Sequence, residues 1–184
     1  MTRLYLLWPL VPSAAFIAIL ILDEIAQSRR FSLPVTGLLD EPAHALTALI
    51  ILLAVPAASL GGIWLWALLG SVIIDLDHMV LYLVWSGFSV DGGRPPTHSL
   101  LVVAALLAGA ALTKWRTPLL GLAVGVLLHL SRDIAASPGV PLFWPLVPRN
   151  FILPYPLYVG GLLLATAAGT VVVLRRRAAA GIAI

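Results

Sequence analysis

The chain has no cysteine. Disulfides, thiolate nucleophiles and thiolate metal sites are therefore excluded, while the redox compartment stays open. Charge is scarce as well. Only 10% of the 184 residues are charged, against 61% hydrophobic, where a soluble domain carries about 25% charged residues. Three long runs hold no charge at all: Leu4 to Leu22, Ala45 to Ile74 and Leu100 to Thr113. A run of about 20 apolar residues crosses the roughly 30 Å hydrocarbon core of a bilayer. The expected class is an all-α integral membrane protein, a bundle of about six transmembrane helices forming a single domain over residues 1–184. A basic stripe interleaved with aromatics is missing too, which argues against nucleic acid as a partner. No A-x-A-like site precedes Asp23, so the first run reads as a helix and not as a cleaved signal.

Apolar runs and their breakers place the helices. The first is expected from about Leu4 to Leu22, bent or late in starting because of Pro9 and Pro12. Asp23 to Asp40 reads as a surface loop, with room for a short interfacial helix. The second helix is expected to begin at Glu41-Pro42, since proline suits the first helical turn, and to end near Leu60. The third spans about Ile63 to Trp85, the fourth Thr97 to Thr113, the fifth Leu119 to Ala136 and the sixth Leu157 to Leu174. Between the last two, Ser137 to Pro156 holds six prolines, among them Pro138, Pro141 and Pro145. This segment cannot be a regular helix, so a loop or re-entrant segment packed on protein is expected. Six helices put both termini on one side. Arg3, Lys114, Arg116 and Arg175 to Arg177 fall there; Arg29, Arg30, Arg94 and Arg149 fall on the other. The bias predicts a multi-pass protein of the inner (cytoplasmic) membrane with cytoplasmic termini.

The polar residues that remain are grouped. Asp40, Glu41 and His44 open the second helix. Asp75, Asp77 and His78 lie in the second half of the third. Arg94, Thr97 and His98 sit at the start of the fourth, and His129, Arg132 and Asp133 near the end of the fifth. In an antiparallel bundle, starts of even helices and ends of odd ones share a side, so the four groups converge on the outer face. Residues three or four apart share a helix face, which pairs Asp40 or Glu41 with His44, Asp75 with His78, and His129 with Asp133. Acid–histidine pairs pointing inward from several helices are how bundles build metal sites. Imidazole with carboxylate suits zinc first, and also iron or manganese. One or two divalent ions are expected. Blander readings exist. Asp40-Glu41-Pro42 also fits a helix N-cap, Asp91-Gly92-Gly93 a turn, and Arg132 a side chain that snorkels to the interface. Yet an acid inside the membrane costs on the order of 2.5–3.5 kcal/mol, and Asp75 and Asp77 both lie well inside a helix.

These motifs resemble the YdjM-like family of membrane-bound metal-dependent hydrolases, some described as LexA-regulated. The resemblance rests on Asp75-Leu-Asp77-His78, on Thr97-His98-Ser99, and on His129-Leu-Ser-Arg-Asp133 followed by Gly139 to Pro145. An early histidine, His44, completes it. Many members carry His-Arg before the Thr-His pair where this chain has Gly93-Arg94, so one possible ligand is absent. The resemblance implies metal-dependent hydrolysis without naming a substrate.

The resulting expectation is a metal-dependent hydrolase acting on a lipid phosphoester or related amphiphile. The ligands expected are His44, Asp77, His78, His98, His129 and Asp133. Of the acids and histidines, His78, His98, His129 and Asp77 are the first choice, with Asp75, Asp133 and His44 completing a second site, and Glu41 or Asp40 would serve as general base. Arg94, Arg132 and Trp144 would hold the substrate. A di-iron oxidoreductase on an acyl or isoprenoid chain would use the same ligands. A metal-free acid-catalysed cyclase or isomerase would use Asp75 or Glu41. A transporter is disfavoured, because the inner halves of the helices lack polar residues.

Overall fold

A computed structural model of the protein describes residues 7–85, 87–91 and 93–179. Among them the regular structure is all helical. Six principal helices are present: α1 Val11–Ser28, α2 Leu33–Ala54, α3 Trp64–Ile73, α4 Leu100–Leu112, α5 Arg116–Asp133 and α6 Tyr155–Ala179. Four helical stretches are long and apolar enough to cross a membrane: Trp8–Ser28, Val35–Ala54, Trp64–Val84 and Tyr155–Ala179. The α4 helix is shorter, as its sequence run predicts, and α5 carries its charges at its two ends. The described residues form two compact units. One holds residues up to Gly61 together with those from Val159 onward; the other runs from Gly62 to Tyr158.

In the first unit, α1 and α2 pack together and bury Ala15, Ile19, Ala43, Ala48 and Ile50. The expected loop from Asp23 to Asp40 is mostly helix. The α1 helix continues to Ser28, burying Asp23, and α2 starts at Leu33 with proline in its first turn. That proline is Pro34, and Pro42 lies inside the helix. The expected start at Glu41-Pro42 is thus one proline too late. A missing N–H can be tolerated within a membrane helix, where neighbouring groups satisfy the freed carbonyl. The end of α2 comes early, at Ala54, because a residue before proline avoids the helical region. Val55 is accordingly extended, and its carbonyl accepts a 2.8 Å bond from Arg176 Nη2 of α6. A cation at a helix C-terminus complements the dipole as well as the orphan carbonyl.

In the second unit, α3 and α5 lie almost backbone to backbone. A Cβ added at Gly125 would come within 2.3 Å of the Ala67 carbonyl, and one at Gly70 within 2.7 Å of the Leu122 carbonyl. Gly121 and Gly125 form a small-xxx-small stripe, the device by which membrane helices approach closely. The α4 helix covers α5 through a core of Val103, Ala123, Val126 and Leu130. It begins at Leu100, later than expected, because Ser99 is extended and leaves Thr97 and His98 in the preceding turn. The proline-rich segment after α5 is a loop, as expected. Val140 and Phe151 pair in an isolated antiparallel bridge, and Leu142 accepts a 3.0 Å bond from the Leu100 N–H. Gly139 allows that bridge: its φ is 82°, and a Cβ there would meet the Phe151 carbonyl at 2.2 Å.

Candidate metal centre

The centre begins with an irregularity in α3. After Ile73 the chain tightens into a 3₁₀ turn, Ile74–Leu76, passes through Asp77–Met79 and widens into a π segment, Val80–Val84. In a regular α-helix, residues two apart point about 160° away from each other. Tightening to three residues per turn narrows that to about 120° and eclipses residues three apart. Asp75, Asp77 and His78 can therefore address one cluster, which regular α-helical spacing would not allow.

Two histidines complete it. His98 and His129 are fully buried. His129 Nδ1 lies 2.9 Å from the Ser71 carbonyl, which the close approach of α3 and α5 brings within reach. A carbonyl only accepts, so Nδ1 carries the proton and Nε2 is left with a lone pair. His98 Nδ1 lies 3.2 Å from Asp77 Oδ2. A carboxylate also only accepts, so a proton held on Nδ1 by Asp77 leaves the His98 Nε2 bare toward Asp75, 2.9 Å away. Thr97 donates its hydroxyl to the same Asp77 oxygen. The two bare nitrogens face each other at 3.2 Å.

Two carboxylates close on them. Asp75 Oδ1 is 2.9 Å from His98 Nε2 and 3.4 Å from His129 Nε2. Asp133 Oδ2 is 3.0 Å from His129 Nε2 and 3.6 Å from His98 Nε2. With both Nδ1 atoms protonated, four acceptor atoms converge with no donor among them. A proton can serve only one nitrogen; a cation serves all four atoms. Ligands at about 2.0–2.1 Å from a tetrahedral ion stand about 3.3 Å apart, and the five distances above run from 2.9 to 3.6 Å. The donor set fits a divalent ion in number, type and spacing. Arg94 Nη2 holds the other oxygen of Asp133 at 2.9 Å.

Of the residues expected to form a site, Asp75, Asp77, His78, Arg94, His98, His129 and Asp133 come together in this unit. Asp75 stands among the imidazole nitrogens, while Asp77 supports His98 from behind. Arg132 is buried, with Nη1 3.4 Å from the Tyr158 hydroxyl. Trp144 is half-buried in the proline-rich loop. Asp40, Glu41 and His44 belong to the first unit, where His44 is buried and its Nε2 lies 3.6 Å from Asp40 Oδ2.

The profile of the family described as YdjM inner membrane protein matches residues 39–184. The chain belongs to this family. Every residue singled out above falls inside the match. The inner membrane proteins YdjM of Escherichia coli (strain K12) and of Shigella flexneri are each 37% identical to the chain, over 43% of it and 47% of either relative. The match therefore spans about half the length of these curated relatives. No solved structure matches the chain. Family membership and the helices of spanning length make this YdjM-family chain an inner membrane protein.

Sequence reasoning missed two supports of the centre. The Ser71 carbonyl is one, for a backbone group leaves no mark in a motif; the nearby Gly70 and the Gly121/Gly125 pair were the available signal. The other is the division of labour between Asp75 and Asp77, which depends on where α3 changes pitch.

Proposed function

We propose that this YdjM-family chain is a membrane-embedded metal-dependent hydrolase, acting on a lipid phosphoester or a related amphiphile. The observation that carries the reading is the convergence of four buried acceptor atoms, two imidazole Nε2 and two carboxylate oxygens, with both Nδ1 atoms already committed to other acceptors. Asp75, His98, His129 and Asp133 would hold one divalent ion, zinc before iron or manganese. Such an ion supplies Lewis acidity, activating water near neutral pH and polarising a phosphoryl or acyl oxygen.

The rest falls to the protein. The Ser71 carbonyl and Asp77 fix the tautomers of the two histidines, the usual work of groups behind a ligand. Arg94 neutralises Asp133. Its Nε is buried without a hydrogen bond, a desolvated donor that an anionic head-group oxygen would satisfy. Arg132 and Trp144 supply a second cation and an aromatic surface for an amphiphile. The Lys and Arg distribution supports cytoplasmic termini and a site toward the outer face.

The reading is tested with protein purified in detergent without chelator and assayed on phosphatidate in mixed micelles and on acyl esters. Metal-dependent release of product, lost in His98→Ala, is expected. Full activity in His98→Ala, or turnover insensitive to metal removal, contradicts it. Iron with redox activity would favour an oxidoreductase instead.

A further inference from the structure

The ligand set above leaves His78 unused and Asp77 half-used. His78 Nδ1 lies 3.1 Å from Asp77 Oδ1 and 3.2 Å from Asp75 Oδ1. Asp77 Oδ1 and His78 Nδ1 are both shut off from solvent, and neither makes a hydrogen bond. Their contact is thus too poorly directed for an N–H donated to a carboxylate, and burying such atoms unsatisfied is costly. Asp75 is overcommitted in the opposite sense. Its Oδ1 is approached by three imidazole nitrogens, at 2.9, 3.2 and 3.4 Å. Two of these nitrogens, His98 Nε2 and His129 Nε2, face the first ion, so the third, His78 Nδ1, stands beside an oxygen already engaged there.

One arrangement resolves both counts. We propose that a second divalent cation binds at His78 Nδ1, Asp77 Oδ1 and Asp75, with the Asp75 carboxylate shared between the two ions. The proposal rests on the first ion of the preceding reading. The two sites differ in access. The side chains of His98, His129 and Asp133 are at most 1% exposed, whereas those of His78, Asp75 and Asp77 are 18%, 13% and 12% exposed. The second ion is therefore the more exchangeable of the two. Three protein donors also leave it room for water or substrate, as catalytic sites require. Paired ions stabilise both the attacking and the leaving oxygen of a phosphoryl displacement, so the pair favours a phosphoester substrate over an acyl ester.

The test uses the whole chain in detergent, loaded stepwise with Mn(II) and followed by elemental analysis and electron paramagnetic resonance. Wild type is expected to bind two ions. The spectrum at one equivalent should be that of an isolated ion, and at two equivalents that of an exchange-coupled pair. His78→Ala should bind one ion and never give the coupled signal. Saturation of wild type at a single ion would overturn the second site and leave the first standing. Absence of any bound ion would overturn both. A coupled pair that persists in His78→Ala would overturn this ligand assignment. The wild-type titration decides the matter even where the variant fails to fold.

Discussion

The two units bury polar residues in different ways. In the first, Asp40 and His44 meet one turn apart on a single helix, an arrangement that local periodicity alone produces. In the second, the site is assembled from α3, the turn before α4, and the end of α5, and no two of its ligands to the first ion are closer in sequence than His129 and Asp133. The backbones differ to match. Gly160 and Gly161 of α6, both in the first unit, have nothing within 4 Å of an added Cβ. Gly121 and Gly125 of α5 have backbone atoms at 2.3–2.6 Å. A helix that only crosses a membrane can stay regular and loosely spaced. A helix that must deliver a buried imidazole to a neighbour's carbonyl has to approach it closely, and here that neighbour, α3, changes pitch just beyond the contact.

The largest effect is expected where that assembly is cut at its centre. His98→Ala removes an imidazole that touches both Asp75 and Asp77. It should lower metal affinity by more than the roughly 10–100-fold typical of losing an outer partner, to no detectable ion after desalting; equilibrium dialysis with Zn(II) measures this. Helix spacing comes next. Gly125→Ala should destabilise the protein by about 1–3 kcal/mol, the usual cost of overpacking, while Gly161→Ala should be neutral or stabilising by under about 1 kcal/mol. Thermal unfolding in detergent compares the pair, and equal melting temperatures would remove the distinction between close and loose packing.

Smaller effects sharpen the comparison. Thr97→Val deletes a hydroxyl donated to Asp77 and leaves every ligand to the first ion in place. A hydrogen bond to a charged group contributes about 1.5–3 kcal/mol, so metal affinity should fall by about one to two orders of magnitude at most. The smallest effect on the first ion is expected from His44→Ala, because the second unit supplies four donors without it. Loss of that ion in His44→Ala would make His44 a ligand after all.

Much of this was legible before any coordinates. Charge-free runs revealed the membrane class, and helix alternation brought Asp75, His98 and His129 to one face. The boundaries were less legible, since Pro34 and Pro42 are equally good candidates to start α2 and only packing chooses between them. The site's inner logic was least legible. Asp75 and Asp77 are two residues apart, a spacing that scatters them on a regular helix, and no glycine or proline between Ser71 and Val84 marks the 3₁₀ turn that reunites them. His98 was expected on α4 and instead precedes it, held by Asp77 and Asp75 from α3's continuation.

Anomalous diffraction at the zinc edge, from crystals of protein purified without chelator and supplied with Zn(II), tests the central claim most directly. A peak bonded to His98 Nε2, His129 Nε2, Asp75 and Asp133 is the predicted result. Well-ordered density for these four side chains with no anomalous peak among them would contradict it.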